Sequence, residues 1–325
     1  MSLLSVSDLN VRYVIAGVLK ARIAGLSHRF VNAVIDVSFE LDAGTTLAIA
    51  GESGSGKSTL ARALCGLTPI TSGSVTFDGG NPFAAGPRPE RAYHRNVAMM
   101  FQDPISSLSP RRTVAALITE PFIVHGLNDR DLAAEARRLL GLVGLPADFA
   151  ARYPHQLSGG QARRVGVARA IALNPKLIIA DEPTAGLDVS VQGEILNLLA
   201  RLQQELGLTY IIITHNLAVV RHVSDRTAIM YMGRIVEEGP TAGVFSGAAH
   251  PYTQALVDAQ PNPDPSKRRS GPALTGEPTS LRNRPSGCEF NPRCRFAAAR
   301  CRNETPAATV LSPGHSVRCH FPLTA

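Results

Sequence analysis

Residues 51–59 form a glycine-rich stretch whose residue types and spacing fit phosphate binding. The sequence there is GESGSGKST, with a short apolar run before it and an amphipathic stretch after it. Glycines between a strand and a helix let successive backbone N–H groups converge on phosphate oxygens, and the helix N-terminus adds partial positive charge. A plain structural turn is the alternative, which the joint occurrence of motif and context disfavours. The predicted nucleotide-binding residues are Gly51, Ser53, Gly54, Ser55, Gly56, Lys57, Ser58 and Thr59.

Two of these side chains have distinct predicted tasks. Lys57 reaches the β- and γ-phosphates of a nucleotide, while the Ser58 hydroxyl ligates Mg²⁺. A phosphate-binding loop alone does not distinguish kinases, GTPases and ATPases, so a second motif has to narrow the reaction.

Two neighbouring carboxylates follow a second apolar run at residues 177–180. The run is typical of a buried parallel strand, and the pair Asp181-Glu182 falls at its C-terminal end, where α/β proteins place their ligands. Asp181 is expected to hold Mg²⁺, directly or through water, and Glu182 to polarise the water that attacks the γ-phosphate. An acidic pair after a strand is common by chance, but its occurrence in a chain that also has a phosphate-binding loop favours a catalytic role for the pair.

A third motif, LSGGQ at residues 157–161, indicates a second phosphate position. Ser158 and Gln161 have capping-box spacing, so a helix is expected to begin there. Gly159 and Gly160 leave the N-terminus of that helix bare for a phosphate. One molecule does not easily use two such termini on one γ-phosphate, whereas two molecules arranged head to tail can.

Taken together, the three motifs resemble those of ATP-binding cassette (ABC) ATPases, over roughly residues 3–245. The resemblance implies an α/β fold of the P-loop NTPase (RecA-like) type with a helical subdomain, and it implies ATP and Mg²⁺ as ligands. Gln102 matches the Q-loop glutamine, and His215 matches the switch histidine that contacts the γ-phosphate. Residues 185–188 match the D-loop, which ends at Asp188. The implied catalytic set is Lys57, Gln102, Glu182 and His215, and the implied Mg²⁺ ligands are Ser58, Gln102 and Asp181.

The aromatic residue that stacks on adenine in this family is harder to place. It should precede the first sheet, where a basic stretch at residues 14–30 interrupts the pattern. Tyr13 and Phe30 are both candidates, and the sequence leaves the choice between them open; Tyr13 is included in the predicted nucleotide-binding set.

Further segments resemble one subfamily, the dipeptide/oligopeptide/nickel importer ATPases, among them FQDPISSLSPRRTV and HPYTQAL. That resemblance implies a second homologous ATPase subunit, two membrane permeases and an extracytoplasmic solute-binding protein as partners. It places the chain at the cytoplasmic face of the inner (plasma) membrane. The cargo stays open, because relatives carry peptides, nickel, opines or sugars.

Composition and charge exclude several other classes. No apolar run approaches the roughly 18–20 residues of a membrane-spanning helix. Residues 259–325 hold ten Lys or Arg against four acids, +6 of the net +7, so the first 258 residues are nearly neutral and offer no broad nucleic-acid-binding face. An ABC ATPase acting on DNA or ribosomes usually has two cassettes or a long coiled-coil insertion, and this sequence has one cassette and neither device.

The domain organisation follows from these motifs. We expect an ABC ATPase domain over residues 1–258, with its helical subdomain at about 103–160, and a C-terminal extension over 259–325. Within the subdomain, Asn128 with Asp131 is predicted to cap a helix that stops near Gly144.

Four of the five cysteines lie in the last forty residues, at Cys288, Cys294, Cys301 and Cys319. Their segment is proline-rich and poor in apolar residues, so four thiolates around one metal centre would help it to fold. Donor chemistry alone leaves zinc and an iron–sulfur cluster about even. The family resemblance favours a 4Fe-4S cluster, with zinc second and thiols without metal third. It also leaves an alternative function, a soluble ABC ATPase with a regulatory iron–sulfur tail that is not coupled to transport.

Overall fold

The computed structural model describes residues 2–15, 29–86, 89–103, 106–127, 129–260, 274, 276 and 280–323. The chain forms two compact units, neither of which is a continuous stretch. The first comprises residues 1–3, 42–46 and 82–213, and the second comprises 4–41, 47–81 and 214–325. Residues 16–28 of the basic stretch, the predicted cap Asn128 and most of the proline-rich segment after residue 260 lie outside the described residues. The domain boundary near residue 258 stays a prediction.

The strands are β1 (Ser2–Val14), β2 (Phe30–Asp42), β3 (Thr46–Ala50), β4 (Ser72–Phe77), β5 (Val97–Met100), β6 (Leu177–Asp181), β7 (Thr209–Thr214), β8 (Arg226–Tyr231), β9 (Arg234–Pro240), β10 (Thr309–Ser312) and β11 (His315–Val317). The α-helices are α1 (Lys57–Leu64), α2 (Arg91–Asn96), α3 (Val114–Val124), α4 (Leu132–Leu142), α5 (Gly159–Ile171), α6 (Val189–Leu206), α7 (Leu217–Val223), α8 (Thr241–Ser246), α9 (Pro251–Asp258) and α10 (Ala299–Asn303). Short 3₁₀ turns occur at Ala147–Ala151, Pro154–Gln156 and Asn291–Arg293.

Three parallel strands, in the order β7-β6-β5, form the sheet of the first unit. Every residue of β6 and β7 is buried, which explains why both segments are almost continuous apolar runs. Both strands, predicted from those runs, are confirmed. The register places Val97 beside Leu177 and Leu177 beside Thr209, so the Asp181-Glu182 pair emerges at the C-terminal edge of this sheet.

The helices of the first unit begin and end where the sequence provides caps. Asp131 caps α4, since its carboxylate accepts hydrogen bonds from the amides of Ala133 and Ala134 at 2.9 and 3.0 Å. Gly144, in the left-handed region at φ 69°, lies just beyond its end, and Gly207 ends α6 at φ 65°. Glycine adopts this conformation without the steric cost that other residues meet.

The second unit contains two groups of strands. One is a three-stranded sheet in the order β2-β1-β4, and the other runs β10-β11-β9-β8-β3. Strand β3, which leads into the glycine-rich stretch, pairs in parallel with β8, and the remaining neighbours in its group are antiparallel.

The segment from Cys288 to Cys319, here called the cysteine segment, packs on the core of the second unit. Phe290 is 3% exposed and its ring lies 5.3 Å from that of Tyr231 and 5.4 Å from that of Tyr252. Cys288 and Cys294 contact the same apolar cluster. The segment is poor in apolar residues, as the sequence indicated, but it shares the core of the rest of the unit and needs none of its own.

Buried polar groups connect β9 to the start of α9 and to β11. Glu237, 1% exposed, accepts hydrogen bonds from the amides of Ala249 and His250 at 2.8 and 2.9 Å, and its Oε1 lies 2.9 Å from Nε2 of His315. His250 caps α9, its Nδ1 accepting from the amide of Tyr252 at 3.0 Å. Burial lowers the pKa of His250 from 6.5 to about 3.

Within the described ranges, no helix combines the length and the apolarity needed to cross a membrane.

His250 makes the stability of the fold depend on pH. Between about pH 6.5 and pH 3 the unfolded chain binds a proton at this ring that the folded chain does not, so folding stability falls as the pH is lowered through this range. The slope is about 1.4 kcal/mol per pH unit. We therefore expect His250→Asn, which keeps an N-cap acceptor that cannot titrate, to lose less Tm than the unmodified protein between pH 7.0 and pH 5.0.

The matched control is His155→Asn, an exposed histidine of the first unit. Its Tm should follow that of the unmodified protein at both pH values. Equal Tm losses in the His250→Asn variant and the unmodified protein would contradict the assignment.

Candidate functional site

The phosphate-binding loop at residues 51–56 is shaped by close approach of neighbouring backbone. A Cβ on Gly51 would meet the carbonyl oxygen of Met230 at 2.2 Å, and one on Gly56 would meet that of Ala33 at 2.3 Å. Both glycines have positive φ, 152° and 104°. Helix α1 begins directly after Gly56 and has no side-chain cap at its N-terminus. These constraints leave glycine as the residue that fits, and the helix presents an N-terminus suited to an anion.

The Lys57 ammonium lies inside the same loop. It donates hydrogen bonds to the carbonyls of Gly51 and Glu52, both at 2.8 Å, and to the Ser55 hydroxyl at 3.2 Å. Lys57 is 5% exposed. These bonds keep a buried positive charge solvated by the turn, next to the helix N-terminus. Ser53 and Gly54 are exposed on the turn, and Ser58 and Thr59 are half-buried in the first turn of α1.

The carboxylates at the end of β6 have different environments. Asp181 is 3% exposed, whereas Glu182 is half-buried and takes a left-handed backbone conformation at φ 49°. For a residue other than glycine this conformation costs about 1–2 kcal/mol. The amide of Glu182 donates to the Ile213 carbonyl at 2.8 Å, which holds the turn. Its Oε2 accepts from Nε2 of Gln102 at 3.1 Å. The structure therefore brings Gln102 and Glu182 together.

The LSGGQ helix begins as predicted. The amide of Ser158 donates to Oε1 of Gln161 at 2.9 Å, and the amide of Gln161 donates to the Ser158 hydroxyl at 3.3 Å. This reciprocal capping box is confirmed. Ser158 and Gly159 are exposed and the other three motif residues are half-buried, so the start of α5 is open to a ligand.

The start of α5 packs on the D-loop and the helix after it. A Cβ on Gly160 would lie 2.8 Å from Cγ1 of Val191, and one on Gly159 would lie 3.4 Å from Cδ2 of Leu187. Asp188 is exposed at the N-cap of α6. The structure thus places the predicted signature glycines and the predicted D-loop side by side within the first unit.

Arg163 contacts two of the predicted site loops, which the sequence did not reveal. It follows the LSGGQ motif in α5, is 2% exposed, and burial lowers the pKa of its guanidinium. The guanidinium donates to the carbonyls of Phe101 and Gln102 at 3.2 and 2.9 Å and to that of Ala185 at 3.1 Å. One buried cation therefore connects the signature helix, the Q-loop and the D-loop. Its spacing after LSGGQ carried no signal, because the carbonyls it binds are distant in sequence.

His215 and the two aromatic candidates belong to the second unit. His215 is exposed just beyond β7, beside Asn216, which caps α7. Tyr13 and Phe30 are each 39% exposed. The guanidinium carbons of Arg12 and Arg29 lie 5.3 and 5.4 Å from the centre of the Phe30 ring. Because two arginines lie against Phe30, Tyr13 is the better candidate to stack on a base. The roles of all these residues stay predictions.

The four C-terminal cysteines line one small pocket together with His250, Phe290 and His320. All are free thiols. Burial raises the pKa of Cys288 to about 12 and also raises those of Cys294 and Cys319. The fifth, Cys65, is buried in the second unit, and burial raises its pKa to about 12 as well. The predicted convergence of the four is therefore present.

Metal-site geometry does not support the metal prediction. In the described part of the chain, no group of three or more His, Cys, Asp or Glu residues is arranged to hold a metal ion. The 4Fe-4S cluster and the zinc alternative are therefore not confirmed, although the donor set, four thiols on one pocket, has the chemistry that either would use.

Family models match most of the chain. The ABC transporter model matches residues 34–185, and the model of the oligopeptide/dipeptide transporter C-terminal region matches residues 236–301. A probable peptide ABC transporter ATP-binding protein of Sinorhizobium fredii is 48% identical over 98% of this chain and 90% of its own length. A di/tripeptide transport ATP-binding protein of Pseudomonas aeruginosa is 44% identical over 90% of this chain and 91% of its own.

Solved structures share the fold. That of cbiO1 from Clostridium perfringens, part of the ABC transporter complex cbiONQ, has a TM-score of 0.63 and 28% identity, covering 75% of this chain and 91% of its own. A dimeric ATP-binding cassette in a post-hydrolysis state, bound to ADP and Pi, has a TM-score of 0.62 and 27% identity, covering 73% and 98%. The predicted P-loop NTPase fold is confirmed.

The position of Arg163 yields a test. We expect Arg163→Met, which keeps the alkyl length but removes the charge, to leave three carbonyls without their donor and to lower Tm by several degrees. It should lower kcat for ATP about tenfold, which corresponds to ~1.4 kcal/mol, while the Kd for ATP changes little. Steady-state hydrolysis and nucleotide titration measure the two effects.

Arg138→Met is the matched control, since Arg138 pairs with Glu135 at the surface of the same unit. This variant should keep both constants. An Arg163→Met protein with unchanged kcat would show that Arg163 does not organise the catalytic loops.

Proposed function

The chain belongs to the ABC transporter family and is an ATP-hydrolysing transport subunit, and from this premise we propose that it powers the import of peptides or related small solutes. The observation that carries the proposal is the identity of 41–48% with relatives named as peptide, oligopeptide or dipeptide transport ATP-binding proteins. The match of residues 236–301 to the oligopeptide/dipeptide C-terminal region supports the same subfamily.

In the proposed site the glycine-rich loop holds the phosphates of ATP. The N-terminal amides of α1 and the Lys57 ammonium bind the β- and γ-phosphates. The Ser58 hydroxyl and the Asp181 carboxylate supply the oxygen ligands that Mg²⁺ prefers, with Gln102 as a further one. Mg²⁺ usually takes only one or two protein carboxylates and completes its shell with phosphates and water, and these residues fit that pattern. Tyr13 stacks on the adenine ring.

Glu182 is the proposed general base. Its hydrogen bond with Gln102 at 3.1 Å positions the carboxylate, which then orients the water that attacks the γ-phosphate. His215 contacts the γ-phosphate from the end of β7. The phosphoryl group passes to water, and ADP and phosphate leave.

The exposed start of α5 supports a composite site. The signature residues Ser158 to Gln161 of one subunit bind the γ-phosphate held by the other, and Asp188, the last residue of the D-loop, belongs to the same contact. The second ATPase subunit is a further copy or a homologue. We propose that the pair works on two membrane permeases at the cytoplasmic face of the inner (plasma) membrane, supplied by an extracytoplasmic solute-binding protein. The alternative of a soluble ATPase with a regulatory iron–sulfur tail gains no support from relatives named as transport subunits.

Substitution of the general base tests the reaction. Glu182→Gln keeps the shape of the side chain but cannot accept a proton, so we expect ATP binding to persist while turnover falls roughly 10²–10⁴-fold. Lys57→Ala should instead weaken ATP binding itself. Nucleotide titration and phosphate release separate the two effects.

The matched control for the base is Glu194→Gln, an exposed glutamate of the same unit that pairs with Arg164. It should leave turnover near that of the unmodified chain. Full hydrolysis by the Glu182→Gln variant would refute the role of Glu182.

We also propose that Cys288, Cys294, Cys301 and Cys319 hold a 4Fe-4S cluster, with zinc as the alternative. The shared pocket supports one common ligand. Burial raises the pKa of three of the four thiols above its ordinary value, so a metal that stabilises thiolates would offset the cost of ionising them there.

Anaerobic purification with iron, sulfide and zinc assays decides this proposal. A cluster predicts about four irons per chain and a broad absorbance near 400 nm, both lost in Cys294→Ser and kept in Cys65→Ser. About one zinc without colour supports the alternative, and neither metal would refute both.

A further inference from the structure

The phosphate-binding loop is ion-paired to the cysteine segment. Arg293 lies directly before Cys294, and its Nη1 and Nη2 donate to the two carboxylate oxygens of Glu52 at 2.6 and 3.0 Å. Only 4% of the Arg293 side chain is exposed, against 24% for Glu52. A two-pronged pair of this kind fixes the direction of both side chains as well as their separation.

Every part of Glu52 is held in place. Its side chain binds Arg293, its amide donates to the Tyr252 hydroxyl at 2.9 Å, and its carbonyl accepts from the Lys57 ammonium at 2.8 Å. The carbonyl also accepts from the amide of Ser55 at 3.2 Å. This one residue therefore contacts both the turn of the loop and its phosphate-binding lysine, which Gly51 and Ser55 also hold.

Arg293 is itself fixed by the residues between Cys288 and Cys294, here called the docking segment. Glu289 is 6% exposed, and its Oε1 accepts from Arg234 and Arg284 at 2.8 and 2.9 Å. Phe290 packs against Tyr231 and Tyr252. A 3₁₀ turn at Asn291–Arg293 then aims Arg293 at Glu52. Three residues of the docking segment, Glu289, Phe290 and Arg293, thus anchor it by an ion pair, by an aromatic contact and by the loop contact itself.

The pair also serves an electrostatic purpose. Glu52 puts a carboxylate into a loop whose ligand is a polyanion, and like charges at close range oppose binding. Arg293 offers two donors to that carboxylate and neutralises its charge. Loss of Arg293 would both release the turn and leave an unneutralised negative charge beside the phosphates.

We propose that Arg293 is a positioning residue for the phosphate-binding loop, and that the docking segment sets the affinity of the site for nucleotide through it. The proposal rests on the proposed ATPase function. It assigns to the C-terminal extension a direct part in nucleotide binding, separate from whatever the four cysteines hold.

A double-mutant cycle on the full-length chain tests this coupling, with the Kd for a fluorescent ATP analogue as the readout. Arg293→Ala should raise this Kd about tenfold, and Arg293→Lys, which keeps the charge but not the fork, should raise it less. In Glu52→Gln the loop has no carboxylate for Arg293 to neutralise. Arg293→Ala should therefore raise the Kd much less in the Glu52→Gln background than in the unmodified chain.

Arg300→Ala is the matched control, because Arg300 pairs with Glu304 at the surface of the same extension, four residues apart. It should leave the Kd unchanged. Tm is measured for every variant, and titrations are made well below the lowest Tm. Should Arg293→Ala fail to fold, Glu52→Gln and Arg293→Lys complete the comparison from either side of the pair.

Three results have separate meanings. Loss of affinity in Arg293→Ala that Glu52→Gln largely removes supports the proposal. The proposal is overturned if Arg293→Ala leaves the Kd unchanged. It is also overturned if the fold-changes in Kd of the two single substitutions multiply in the double variant. Undiminished binding in Lys57→Ala would instead contradict the proposed phosphate site, whatever the Arg293 variants do.

Discussion

The structure depends on one constraint, that a polyanionic ligand must be met by backbone amides held rigidly in a short turn. Amides converge in this way only when the chain adopts conformations that most side chains oppose. Gly51 and Gly56 meet this demand, and neighbouring carbonyls approach them so closely that no Cβ would fit. The buried Lys57 adds a positive charge that the turn itself solvates. The strands β3 and β8 and the helix α1 hold this turn in place.

The first unit meets a comparable demand with a side chain. Its Q-loop, D-loop and signature helix are separated in sequence, and the Q-loop and the D-loop each present carbonyl groups to the signature helix. The buried guanidinium of Arg163, which belongs to the signature helix, donates hydrogen bonds to both loops. Burying a cation is unfavourable unless hydrogen bonds compensate it, so the loops are held where their carbonyls accept from Nη1 and Nη2. Nε of Arg163 is buried without a hydrogen-bond partner among the described residues. The Gln102–Glu182 hydrogen bond then follows from loop positions that Arg163 fixes.

The C-terminal extension is part of the second unit. Phe290 lies in the same apolar cluster as Tyr231 and Tyr252, and Glu289 is buried between two arginines. The segment that carries the cysteines packs in this way because the core it needs is already present. The same contacts bring Arg293 to Glu52, so that two motifs more than two hundred residues apart in sequence share one ion pair.

The sequence by itself determined the elements and the chemistry. The apolar runs gave β3, β6 and β7, the Ser158–Gln161 spacing gave the start of α5, and the three motifs identified the family, since each signal lies within a dozen neighbouring residues. Tertiary structure alone decided the rest. Arg163 and Arg293 act through partners 22 to 241 residues away, and no local spacing records such a contact. The two guanidinium groups beside Phe30 likewise depend on packing. A buried guanidinium needs hydrogen-bond acceptors close to it, and the packing of the whole core decides which distant residues supply them.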